Sequence, residues 1–155
     1  MADISPDAVG AWRALMLVHA KVTNELDRVL RAEVGIPVSW YEALVEIAFA
    51  GGSMTMSRFA RETTLTKSGA TRFVDRLERA GLVARASGTT DRRRQELSLT
   101  DEGRKIQRRA DPHVLSVIDR LFASQLDGAE AGALRRALTR IGGPTHASLP
   151  VPANG

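Results

Sequence analysis

The sequence predicts a mainly α-helical fold interrupted by one short β-hairpin, and three observations predict it. Apolar residues recur at three- and four-residue spacing along most of the 155-residue chain. Residues 82–86 and 95–99 instead read as two short strands, the second alternating Leu97 and Leu99 with Glu96 and Ser98. Capping residues and glycines punctuate the joints between these stretches. Hydrophobic residues at 43% and charged residues at 26% are those of an ordinary globular chain and exclude disorder. The length suits a single domain spanning residues 1–155.

Ser5-Pro6-Asp7 is a helix start, with a hydroxyl cap, proline at the first helical position and an acid at the positive end. Trp12, Leu15, Met16, His19, Val22, Leu26, Val29 and Leu30 then follow at helical spacing as far as Gly35. So long an amphipathic helix needs more partner surface than this chain offers, which points to a second copy. Pro37 restarts the chain, and Ser39 with Glu42 is expected to form a capping box for a second helix to about Ala50. Thr55 or Ser57 opens a short third helix, and Thr66 caps a fourth that runs to Ala80 and stops at Gly81. The polar loop 87–94 joins the two strands. Thr100 starts a fifth helix to about Gln125, which Asp111-Pro112 should kink or interrupt. Asp127 and Glu130 form a capping box for a last helix through Ile141, and residues 144–155 read as a disordered tail.

Two short helices, a tight turn and a basic hairpin make a winged helix-turn-helix with a two-stranded β-wing, placed at residues 37–100. The long helices at 5–34 and 101–141 are expected to form a homodimer through apolar faces that include Val114, Val117, Leu134, Leu138 and Ile141.

Charge supports that reading. Residues 57–100 hold ten Lys/Arg against five Asp/Glu, a surplus larger than the net +4 of the whole chain. In the fourth helix Ala70, Phe73, Val74, Leu77 and Ala80 form the apolar stripe. Lys67, Ser68, Thr71, Arg72, Asp75 and Arg76 are left facing outward. A helix of this kind enters the major groove, where Arg72 can donate two hydrogen bonds to guanine and Ser68 and Thr71 can adapt to neighbouring bases. Thr66, Lys67 and the positive helix N-terminus suit phosphate, and Gly69 permits close approach. Arg92, Arg93 and Arg94 repel one another at the hairpin tip, and a narrow minor groove attracts such a cluster. Double-stranded DNA is therefore the expected partner.

The residues Phe59-Ala60, Lys67-Ser68-Gly69-Ala70-Thr71-Arg72, Asp75-Arg76-Leu77-Glu78, Gly81-Leu82-Val83, Asp91-Arg92-Arg93 and Leu99-Thr100-Asp101-Glu102-Gly103 resemble the MarR family of bacterial repressors. The resemblance implies a dimer built from the terminal helices, and DNA contacts at Ser68, Thr71, Arg72 and the wing arginines. It also implies DNA affinity altered by a small ligand, often an anionic aromatic. Trp12, Trp40-Tyr41 and residues 68–72 are similar to the urate-responsive branch, from which Glu42 departs where aspartate is expected. Trp12, Arg13, His19, Trp40 and Tyr41 are the candidate lining of a ligand cavity; the alternative is that Trp12 and His19 are ordinary core or interface.

Other classes find little support. The chain has no cysteine, which excludes disulfides, thiolate metal sites and thiol redox sensing. There is no Ser-His-Asp arrangement, metal-ligand spacing or phosphate loop, so neither an enzyme nor a cofactor is expected. No apolar run approaches the roughly 18–20 residues that span a bilayer, and residues 1–10 do not read as a signal peptide, so a cytoplasmic protein is expected. An architectural module that uses the same fold without reading sequence remains the second alternative.

Overall fold

The computed structural model describes residues 4–63, 65–87 and 95–143. The wing arginines Arg92, Arg93 and Arg94 and the tail 144–155 lie outside the described residues. In chain order the elements are α1 (Pro6–Glu33), α2 (Val38–Phe49), β1 (Ser53–Thr55), α3 (Met56–Glu62), α4 (Lys67–Arg79), β2 (Val83–Ser87), β3 (Gln95–Leu99), α5 (Asp101–Leu121), a 3₁₀ turn (Ala123–Gln125) and α6 (Gly128–Gly142). Among the described residues no helix is long and apolar enough to cross a membrane.

Most starts follow the caps read from sequence. Ser5 accepts from the Asp7 N–H, Thr55 from Arg58, and Asp127 and Glu130 close a full capping box on α6. The start of α2 differs. Its N-cap is Pro37, with no side-chain bond of its own, so the expected Ser39–Glu42 box is absent. Asp27 of α1 supplies the missing acceptor instead, taking the Val38 N–H at 2.9 Å. A cap borrowed from the preceding helix fixes the α1–α2 corner as well as the helix end.

Three antiparallel strands form the sheet, in the order β1-β3-β2. The wing hairpin therefore gains a third strand that was not expected. β1 is only three residues long and follows Gly51 and Gly52, both at positive φ, so no alternation marks it. Met54 of β1 and Arg85 of β2 flank Leu97, which is fully buried. Leu97 and Leu99 both point into the core, as their alternation indicates.

That core draws Leu30 from α1, Leu44 and Ile47 from α2, Phe59 from α3, Val74 and Leu77 from α4, and Ile106 and Ala110 from α5. Val114 and Val117, expected on a dimer face, are buried within the chain itself. α5 runs unbroken across Pro112 rather than being interrupted there, with Ala110 and Val114 buried on either side of it. The helix ends at Leu121, short of the expected Gln125. Glu25 of α1 takes hydrogen bonds from Arg28 and from Arg120 of α5, which hold its carboxyl at about 2, well below the usual range.

Beyond that bracket α1 is bare. Residues 4–20 are all exposed, including Trp12 at 61% and Leu17 at 71%. α6 buries none of its residues, and Ile141 is 80% exposed.

The exit of α4, the start of β2, the end of β3 and the start of α5 meet at one junction. The Thr100 hydroxyl donates to the Gly81 carbonyl at 2.6 Å and accepts from the Gly103 N–H at 3.0 Å, while the Thr100 N–H donates to the Leu82 carbonyl. A Cβ placed on Gly103 would lie 2.1 Å from the Leu82 carbonyl oxygen. The obstacle is backbone, so no rotamer change relieves it. Gly103→Ala is expected to cost on the order of 1–3 kcal/mol or more through over-packing. Denaturant unfolding checks this, and an unchanged midpoint contradicts the close approach.

Candidate nucleic-acid interface

α4 carries the site. Thr66 caps it, its hydroxyl accepting the Gly69 N–H at 3.1 Å. A Cβ on Gly69 would come 3.0 Å from that same hydroxyl oxygen, so glycine keeps the cap undistorted as well as leaving the surface low. Thr71 donates to the Lys67 carbonyl at 3.0 Å, and the Ser68 and Thr66 hydroxyls lie 3.4 Å apart. Lys67, Ser68, Thr71, Arg72 and Arg76 are exposed, as expected. The start of the helix thus presents two short hydroxyls, a lysine and an arginine around a helix N-terminus, a set of donors suited to base edges and phosphate oxygens.

The buried stripe is narrower than the sequence indicates. Ala70, Val74 and Leu77 are buried, but Phe73 is half-buried and Ala80, the C-cap, is exposed. Phe73 packs against Phe59 at 6.2 Å between ring centroids, and the Arg76 guanidinium lies 5.5 Å over its ring. Leu65, Gly69, Arg72, Phe73, Arg76 and Arg79 surround an open groove of about 530 Å³ with a cationic rim.

Asp75, expected to face outward, is instead turned toward β2. Arg85 Nη2 reaches Asp75 Oδ1 at 2.6 Å and donates to the Thr71 carbonyl at 3.1 Å; Nη1 lies 3.3 Å from Glu78 Oε2. The other Glu78 oxygen accepts the Arg85 backbone N–H at 3.2 Å. Sequence reading passed over this residue, because one arginine in a short strand has no motif to mark it.

The candidate ligand residues are only partly brought together. Trp12, Arg13 and His19 lie on the exposed part of α1, and Trp40 packs half-buried against the core. Tyr41 is 3% exposed and donates its hydroxyl to Asp111 at 2.9 Å. Burial, and then that carboxylate, drive the tyrosine pKa far upward. Burial also raises Asp111, against the pull of the Tyr41 hydrogen bond. Glu42 lies on a groove of about 400 Å³ with Ser39, Glu46, Glu62, Leu65 and Phe73. Its carboxyl is raised chiefly by desolvation, with the charge of His19 opposing.

A family model described as the MarR family matches residues 34–94. The HTH-type transcriptional repressor MdtR of Bacillus subtilis is 46% identical over 52 residues, which is 34% of this chain and 34% of that protein. That match therefore spans about a third of the relative. AbsC, a MarR family transcriptional regulator from Streptomyces coelicolor, is 30% identical and superposes with a TM-score of 0.83, covering 91% of this chain and 95% of AbsC. Sco3205, a MarR family transcriptional regulator from the same organism solved in complex with DNA, gives 0.82 at 24% identity over 98% of this chain and 96% of its own. At that identity the second likeness speaks for the fold alone.

The cap on α4 is open to test. Thr66→Ala is expected to lose about 1 kcal/mol of stability, in the range for a helix cap. Thermal or denaturant unfolding reads this, and a variant as stable as the parent contradicts the Thr66–Gly69 bond.

Proposed function

The chain belongs to the MarR family of transcriptional regulators, and from that footing we propose that it is a repressor that reads a pseudo-palindromic operator as a homodimer. One observation carries the reading: the exposed first turn of α4, fixed by the Thr66 cap, with Lys67, Ser68, Thr71 and Arg72 on one accessible end. An aligned helix end of this kind fits a major groove about 12 Å wide. Arg72 reads guanine, Lys67 and the helix N-terminus hold phosphate, and Arg92, Arg93 and Arg94 extend the contact into the minor groove.

The bare helices support the dimer. Val9, Trp12, Leu15, Met16 and Leu17 on α1, with Ile141 on α6, are large apolar groups left in water by this chain alone. Large apolar side chains left exposed in such number along one helix fit an interface, and a two-fold partner covers the same residues on both copies. The two α4 helices then meet half-sites about one helical turn apart.

Release of DNA by a small aromatic anion completes the proposal. Trp12 and Arg13 offer an exposed indole beside a cation, with His19 two turns on. Tyr41 contributes through its bond to Asp111 rather than by touching the ligand. A ligand wedged between α1 and the reading lobe changes the spacing of the α4 helices, and a coupling of about 1–3 kcal/mol suffices.

Three outcomes are expected. Arg72→Ala weakens binding to the operator by about 1–3 kcal/mol per half-site, measured by titration, and relaxes base preference there. Equal losses on operator and random DNA contradict its assignment to a base. Light scattering at micromolar concentration returns twice the 16.8 kDa chain mass, whereas a monomer overturns the dimer. Salicylate quenches tryptophan fluorescence and displaces DNA at millimolar concentration; neither effect occurring removes this ligand class.

A further inference from the structure

Arg85 stands where an apolar side chain is expected. Along β2, Val83 is buried while Ala84 and Ala86 are exposed, so position 85 shares the inward face with Val83 and pairs across the sheet with the fully buried Leu97. A guanidinium there is only 20% exposed. It is held by Asp75, Glu78 and the Thr71 carbonyl, three anchors spread along two turns of α4. Among the described residues its Nε is buried with no hydrogen-bond partner.

Stability alone is a poor reason for this arrangement. A charge drawn out of water with one N–H unmet gains little over a well-packed apolar side chain. What the fork supplies is geometry, because a planar guanidinium gripping two carboxylates and a carbonyl fixes orientation as no apolar contact does. β2 is an edge strand of the sheet, and its outward N–H at Arg85 is also taken by Glu78. The grip therefore joins the first strand of the wing, through both main chain and side chain, to the helix that carries Arg72. Thr71, whose carbonyl is one anchor, is itself a proposed reading residue.

We propose that Arg85 is a positioning residue for DNA reading: it locks the wing to α4 so that both meet the duplex in a single spacing. This rests on the DNA-reading proposal above. A loosened wing still carries its positive charge, so random DNA is bound nearly as before, while the fixed register needed by the operator is lost.

The test compares wild type, Arg85→Lys, Arg85→Met, and Arg85→Met combined with Asp75→Asn and Glu78→Gln. Operators selected with the wild-type protein and random duplex DNA are titrated at one salt concentration, and amide exchange is followed at Val83–Ser87 without DNA. Arg85→Met is expected to lower the operator-to-random affinity ratio about tenfold, the order of one base contact. Its β2 amides should exchange at least about tenfold faster while its unfolding midpoint stays close to wild type. Arg85→Lys, which keeps one ion pair, should recover part of both losses. The neutralised triple variant should remain as unselective as Arg85→Met, because it removes the unpaired carboxylates without restoring the fork. Full recovery of selectivity in the triple variant overturns positioning in favour of simple charge cancellation. A wild-type preference that Arg85→Met leaves unchanged overturns the role of Arg85 alone. A wild-type protein with no sequence preference overturns the DNA-reading proposal, and this one with it.

Discussion

α4, β2, β3 and α5 all depend on the junction at Thr100. One hydroxyl closes α5 by accepting the Gly103 N–H and ties that helix to the Gly81 carbonyl, where the chain leaves α4. The Gly103 approach to the Leu82 carbonyl leaves no room for slack. Leu99 adds a further tie by donating its N–H to Gly52 at the start of β1. The long helix α5 and the exposed helix α4 are thus joined through Gly81, Leu82, Thr100 and Gly103.

This rigidity separates two populations of arginine. Arg85, Arg104, Arg28 and Arg120 are engaged inside the chain, on Asp75 and Glu78, on the Leu99 carbonyl, and on Glu25. Lys67 and Arg72 stand exposed on α4, and Arg76 lies over Phe73 with its charge toward solvent. The first group sets shape, and the second is the one the proposed reading assigns to a polyanion. Net charge counts both alike, which is why the central surplus of positive charge indicates a partner but not which residues touch it.

Local signals were legible in the sequence to the extent that one residue's chemistry decides them. Ser5, Thr55, Thr66, Thr100 and Asp127 all cap the helices expected of them, because a short side-chain acceptor beside unpaired N–H groups acts within three residues. The alternation of Leu97 and Leu99 gave the strand and its face in the same way. Features that join distant segments were not legible. Asp27 capping α2 and β1 pairing with β3 depend on which elements become neighbours. So does the inward Arg85, whose partners sit seven to fourteen residues earlier on another element. Helical spacing in α1 likewise shows that a face is apolar without showing what covers it. Leu30 is covered by this chain, and Trp12 and Leu15 are not. The exposed face of α4 was readable from spacing. The burial of Tyr41 and its bond to Asp111 were not, since they depend on how α2 packs against α5.

Selection from a pool of random duplex DNA tests the central claim most directly, because it assumes no operator, ligand or neighbouring gene. A capped α4 presented twice by a two-fold dimer predicts strong enrichment of an inverted repeat with half-sites about one helical turn apart. Recovery of unenriched sequence, or of a single half-site bound at full occupancy, contradicts it.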